Sequence, residues 1–371
     1  MRRLSEPIGV AAGVLWLVAA GVVVAAGVAL LIGVRWWWIA AAAAAVASQG
    51  AILTAWGDAR AGTVANILLL GAAVYGYASQ GPTSQRAEYR RRVDAALSAS
   101  PGEDVVTDAD LAHLPAPVAA YVRRCGAVGQ PRVVNFHARI HGRIRGGADK
   151  GWMPFTGEQV DTFGPVPTRQ FFMDATMFGL PVDVLHVHDG RSATMRVRLC
   201  SLLPMVHASG PDVDRAETVT LVNDLCVLAP AALVDAPIMW HAIDDRRVRG
   251  SFTSRQHTVS AVLVFDRDGD LLDFVSDDRL RSSPDGTRFT RQRWSAPVGG
   301  YDTFGTRRLS SAGEARWHSP GPEGEFAYLQ VHVDAVAYNI GHTATDTVHT
   351  PLAPPRRRTT VGASTSGGGP R

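Results

Sequence analysis

The sequence predicts an α+β protein in which N-terminal transmembrane helices precede a curved antiparallel β-sheet, half-barrel-like, packed on one or two helices. Three observations predict it. Residues 8 to 79 are almost continuously apolar, broken by charge only at Arg35, Asp58 and Arg60. Beyond Gln80 the hydrophobic period becomes two, the period of a half-buried strand. One stretch of helical spacing, 212–229, then separates two blocks of such strands.

Spans 8–34, 36–56 and 61–78 are each long enough to cross a hydrocarbon core, which takes roughly 20 helical residues. No compact apolar core with a small-residue cleavage site is present, so the first span is not expected to be a removable signal. The connections are short, which implies antiparallel helices. Small residues in the Ala40–Ala45 run allow close backbone approach. Trp36, Trp37 and Trp38 suit a membrane–water boundary. Three crossings put Arg2, Arg3 and Arg60 on one side and Arg35, Arg86, Arg90, Arg91 and Arg92 on the other. That bias predicts a multi-pass cell-membrane protein whose soluble domain faces the cytoplasm.

The organisation that follows is an anchor at 1–80, a juxtamembrane helix and linker at 81–104, a β-rich domain at 105–342 and a disordered tail at 343–371. In 85–97, Tyr89, Val93 and Leu97 recur every fourth residue, as in a short amphipathic helix facing the bilayer or the domain. Pro117 and Gly126 suit the start and the end of a helix. In 136–145, Phe136, Ala138, Ile140, Gly142 and Ile144 alternate with His137, Arg139, His141, Arg143 and Arg145, the pattern of a half-buried strand. Strands are expected at 155–163, 169–178, 182–188 and 193–203, with a hairpin at Asp189-Gly190. Asp214 and Glu217 have capping-box spacing at the start of the 212–229 helix. A second block of strands is expected at 238–243, 247–254, 257–266, 271–279, 287–296 and 326–338. Asp268-Gly269 and Asp285-Gly286 mark its hairpins.

Formal net charge is only +3. The runs Arg90–Arg92 and Arg356–Arg358 lack interleaved aromatics, so nucleic acid is not an expected partner. Cys125, Cys200 and Cys226 are too few for a disulfide framework. Free thiols are expected, a Cys200–Cys226 bridge remains open, and the odd count favours a reducing compartment.

Several blocks resemble an uncharacterised family of bacterial membrane-anchored proteins with a domain of unknown function. They are Asn66 to Leu70, Gly81-Pro82, Arg86 to Tyr89, Leu114 to Tyr121, Trp152 to Phe155, Phe171 to Ala175, Leu221 to Asp224 with Pro230, Val264 to Asp266 with Gly269, Trp317 and Tyr328. The resemblance implies an architecture and no chemistry. It also implies a further apolar segment upstream of the first span, and Glu in place of Asp224. The order of strands, one helix and more strands is similar to lipoprotein-carrier domains of the localisation-factor type, in which a curved sheet encloses an apolar groove.

Trp152, Phe155, Phe163, Phe171, Phe172 and Phe178 crowd successive strands. Ordinary core packing accounts for such residues. In a curved sheet, Trp152, Phe155, Phe171, Phe172 and Phe178 would line an apolar ligand groove, with Asp224 a buried carboxylate beside it. His186 and His188 share a strand face, but no third or fourth ligand lies nearby, so no metal site is expected. Asp266, Asp268 and Asp270 imitate a calcium loop with the glycine misplaced; a hairpin turn is the expectation. No catalytic or cofactor motif is present, and no cofactor is expected. The expected function is a membrane-anchored module that holds a lipid or other apolar small molecule beside the bilayer. The alternatives are an enzyme on a hydrophobic substrate, with Asp224, His186 or His188 as acid–base groups, and a scaffold domain of a membrane assembly.

Overall fold

The computed structural model describes residues 9–97, 104–254 and 257–341. Arg2, Arg3, the linker expected around 98–104 for all but its last residue, and the tail from 343 with its Arg356–Arg358 run lie outside the described residues. Among the described residues, three helices are long and apolar enough to cross a membrane. They are α1 (Val10–Leu31), α2 (Trp37–Thr54) and the longer apolar helix that follows the single turn α3 (Trp56–Ala59), namely α4 (Gly62–Gln80). Ala26 and Ala29 of α1, Ala41 and Ala44 of α2 and Ala73 of α4 are buried in one cluster. The small side chains let the helix backbones approach closely. Asn66 Nδ2 donates to Gln49 Oε1 at 2.9 Å, a polar link between α4 and α2. Trp38 meets Tyr77 edge-on at 5.1 Å, placing an aromatic pair near the end of α4.

Helix α5 (Gln85–Ala96) starts from Ser84, whose hydroxyl accepts from the Ala87 amide. Its Tyr89 and Val93, with Leu97, pack against Val160, Phe172, Leu185 and Val187. The amphipathic stripe therefore faces the domain rather than lipid. Helix α6 (Ala116–Arg124) carries Pro117 in its first turn and ends before Gly126 at φ +75°, as its sequence predicts.

The sheet has fourteen antiparallel strands. The first six are β1 (Asn135–Ile144), β2 (Met153–Thr162), β3 (Thr168–Met177), β4 (Leu180–His188), β5 (Ala193–Leu199) and β6 (Leu203–Ser209). After α7 (Pro211–Leu228) come β7 (Ile238–Ala242), β8 (Arg247–Ser254), β9 (His257–Phe265), β10 (Leu271–Ser276), β11 (Leu280–Ser282), β12 (Phe289–Arg291), β13 (Trp294–Ser295), β14 (Val298–Phe304), β15 (Arg307–His318) and β16 (Glu325–Tyr338). The order is β6-β5-β4-β3-β2-β1-β16-β15-β13-β10-β9-β8-β7, with β14 on β15 and with β11–β12 as a separate hairpin. The last strand thus closes onto the first, and the two blocks become one continuous curved surface around α7. This is the predicted α+β architecture.

Several details differ from expectation. The stretch expected as one strand over 193–203 is a hairpin, β5 turning at Cys200–Leu202 into β6. Strands β14 and β15 were not foreseen, because Gly299, Gly300 and Gly313 interrupt the apolar alternation. Helix α7 begins at Pro211 after Gly210, so Asp214 does not cap it. Asp214 instead accepts the Ala193 amide at 2.5 Å, and Glu217 turns inward. All three cysteines are free, so the Cys200–Cys226 bridge does not form.

Candidate functional site

Period two gives β3 two different faces. Arg169, Phe171, Met173 and Ala175 face the concave side with α7, while Phe172 and Asp174 face α5. Phe172 is buried against Tyr89 at 5.9 Å between ring centres, with the Arg86 guanidinium above it. Phe171 and Phe172 therefore cannot line the same groove. Gly157 of β2 makes room for the Phe171 ring, since a Cβ there would lie 2.7 Å from it.

A cavity of about 350 Å³ lies between α7 and the concave face. Its apolar wall includes Ile140, Phe155, Phe171, Met173, Trp294 and Val331, and at α7 it becomes polar, with Gln159, Arg169, His186, Glu217, Asp224 and Arg279. Of the six residues expected at a groove, Phe155, Phe171 and Asp224 line this space. Trp152 does not. It stacks beneath the guanidiniums of Arg143 and Arg145, at 4.7 and 4.6 Å. Phe178 is 95% exposed in the β3–β4 turn. Phe163 packs on Phe136 at 5.9 Å, as part of the core.

The polar end is an ion network across α7, β2–β4 and Arg279 between β10 and β11. Glu217 and Asp224 are seven residues apart, two helical turns, and so share the inward face of α7. Arg169 Nε donates to Asp224 Oδ2 at 2.6 Å, and Arg169 Nη1 to Glu217 Oε2 at 3.2 Å. His186 Nδ1 lies 3.4 Å and Arg279 Nη2 3.9 Å from Glu217 Oε1. Gln159 Nε2 bridges Asp224 Oδ2 at 2.7 Å and both oxygens of Asp161 at 3.1 Å. Arg279 also donates to the Ala216 carbonyl and the Thr220 hydroxyl, and its guanidinium lies over Trp294.

Burial alone would raise the Glu217 carboxyl, but His186, Arg169 and Arg279 outweigh it and hold the group well below the ordinary carboxylate range. Burial would likewise lower Arg169, yet Asp224, Glu217 and Asp161 raise it above its usual value. Asp161 goes the other way. Its burial, reinforced by the charge of Asp224, pushes it well above the ordinary range. A carboxyl shifted in that direction favours its neutral form.

His188 shares the concave face with His186 but accepts the Gly190 amide at 3.2 Å and is not among the cavity residues. Burial pushes it below the ordinary histidine value. No group of three or more His, Cys, Asp and Glu side chains poised to hold a metal occurs among the described residues. Asp266 Oδ1 accepts the Asp268 and Asp270 amides, closing a turn, and Asp270 pairs with Arg124 and Arg308. Sequence reading missed Arg169, Gln159, Asp161, Glu217 and Arg279. The available signal was parity, for Arg169 stands on the same strand face as Phe171 and Met173.

No curated protein matches the chain. A crystal structure of a putative outer membrane lipoprotein-sorting protein domain from Vibrio parahaemolyticus aligns at a TM-score of 0.33 and 7% identity, covering 58% of this chain and 91% of that one. A DUF1329 family protein from Desulfovibrio piger aligns at a TM-score of 0.35 and 13% identity, covering 61% and 93%. The model of a family of unknown function, DUF6544, matches residues 104–331. That match spans more than half of the sequence and the whole of the curved sheet up to the middle of β16, and on it the chain belongs to the DUF6544 family.

Proposed function

We propose that the protein is a membrane-anchored binding module that holds a lipid acyl chain or a similar apolar small molecule between α7 and the curved sheet. The observation that carries this is the cavity. Its volume of about 350 Å³ falls within the range of small-molecule sites, which are mostly apolar with a few placed polar groups. Phe155, Phe171 and Met173 would take the apolar body, and the network at Asp224 and Glu217 would bound its polar end. The anchor would keep the module at high local concentration beside lipid. The arginine bias favours a domain on the cytoplasmic side, and cysteines introduced at Gly57 and Asp104 should be labelled from opposite sides of the membrane.

The full chain, purified in nanodiscs and extracted for mass spectrometry, should release a stoichiometric apolar compound that persists through washing with empty lipid. Repeated recovery of an empty protein that also fails to bind a fluorescent fatty acid would overturn the reading. The enzymatic alternative has one observation in its favour, since His186 and Asp224 face the same space. Against it, Asp224 is already paired with Arg169, and His186, Arg169 and Arg279 hold Glu217 below the ordinary carboxylate range, which makes it a poor base.

A further inference from the structure

The turns at one end of β3–β6 combine three features that ordinary surface turns avoid. The β3–β4 hairpin closes between Met177 and Leu180, with Phe178 at φ +52° and Gly179 at φ +80°. Two positive φ values in a two-residue loop are the usual hairpin geometry, but the first position is normally Asn, Asp or Gly. A bulky aromatic residue there is strained, and this one is 95% exposed. Next to it, the β5–β6 turn exposes Leu202 and Leu203, and Met205 follows on the same strand. Leu180 is exposed as well. Both a conformational and a solvation cost are concentrated at these two tips.

The surroundings name what covers them. The Cys200 amide donates to the Pro181 carbonyl at 2.7 Å, which locks the two tips side by side. Ser201 Oγ donates to Asp183 Oδ1 at 2.7 Å. Gln85 Nε2 donates to the Asp183 carbonyl at 3.2 Å and to its carboxylate at 3.3 Å. Gln85 opens α5, five residues after the last residue of α4. The tips are thus fastened to the point where the chain leaves the apolar helices. From there α5 runs along β4 toward Leu185 and Val187, so the strands run back the opposite way, toward α4. Tyr75, Ser79 and Gln80 of α4 line one cleft with Thr176, Pro181 and Ser201. Phe178 and Leu180 lie beyond Thr176 along the strands. Tyr75 itself is about 7 Å back from the end of α4, at the usual rise per residue.

We propose that the β3–β4 and β5–β6 tips, led by Phe178, Leu180, Leu202 and Leu203, insert into the same lipid bilayer that α1, α2 and α4 cross. Lipid is the occupant because these tips lie alongside α4, whose own outward face is apolar. Insertion fixes the tilt of the sheet and brings the Phe155 end of the cavity to the bilayer surface, since Phe155 borders both the cavity and the cleft facing α4. The inference rests on the membrane reading of the three helices and not on what the cavity holds.

The test uses the full chain carrying Cys200→Ser, which leaves the buried Cys125 and Cys226, in vesicles of phosphatidylethanolamine and phosphatidylglycerol. An environment-sensitive NBD label is placed at Phe178→Cys, Leu203→Cys, Arg191→Cys at the opposite end of β4–β5, or Leu68→Cys within α4. Labels at 178 and 203 should be blue-shifted and quenched by nitroxide lipid several-fold more than the label at 191. If Leu68 is quenched by nitroxide lipid while 178 and 203 respond only to aqueous iodide, as at 191, insertion is refuted and the anchor stands. If Leu68 also responds only to iodide, both the anchor and the insertion are refuted.

Discussion

Arg169 Nε lies 2.6 Å from Asp224 Oδ2, with both side chains almost sealed from water. One guanidinium on β3 thereby fastens α7 across the strands through Asp224 and, two turns earlier, Glu217. A buried ion pair adds little when compared with a well-packed apolar pair, but breaking one side leaves an uncompensated charge.

Replacing Arg169 by Met should therefore destabilise the protein by roughly 3–5 kcal/mol. The Arg169→Met, Asp224→Leu double variant should recover part of that loss, because the orphaned carboxylate is gone and the two sites couple directly. Denaturant midpoints of the full chain in nanodiscs measure both. A double variant whose loss is the plain sum of the single ones would show that the pair does not act as a unit.

Asp161 provides a test of sign. Its native pKa is raised by burial and by Asp224, so between the ordinary carboxylate value of about 4 and that raised value the folded state binds more protons than the unfolded one. Its contribution is complete at low pH and is lost as pH rises through this window. Asp161→Asn removes the ionisable group and can still accept from Gln159. The variant should match the parent near pH 4 and gain melting temperature over it as pH rises to 8. A difference that is constant with pH would contradict the assignment.

Much of this fold was legible because it depends on apolar periodicity. Apolar runs marked α1, α2 and α4, strict alternation marked β1, and helical spacing marked α7. The site was less legible because it depends on which faces meet. Phe171 and Phe172 are adjacent in sequence, yet one contacts the cavity and the other contacts α5. Both faces of β3 and β4 are buried, so hydrophobicity alone could not say which neighbour each side chain has. Glu217 resembled a cap by spacing, and only the packing of α7 against Arg169 and His186 turns it into a buried charge. The β5–β6 turn escaped notice because Cys200 and Ser201 take positive φ without a glycine to announce it.

The thiols differ by burial. Desolvation pushes the Cys125 thiol up to about 12 and raises Cys226 further above the ordinary range. Thiolate is the reactive form, so neither should react with a thiol reagent at pH 8 while the protein is folded. Mass spectrometry after brief alkylation should find the label on Cys200 at most, and on all three residues only after denaturation. Rapid native labelling of Cys226 would mean that α7 opens readily from the sheet.

Volume inside the cavity can be altered without touching the ion network. Val331 lines the space from β16 and is only half-buried, so Val331→Trp adds bulk where there is room to receive it. Overpacking of a tight core typically costs about 1–3 kcal/mol, and a pre-existing void should reduce that cost. The variant should keep a melting temperature close to the parent's while its affinity for a fluorescent fatty acid falls at least tenfold, a change of about 1.4 kcal/mol. Equilibrium titration in nanodiscs reads the affinity. Unchanged affinity in Val331→Trp would place the bound probe outside this cavity.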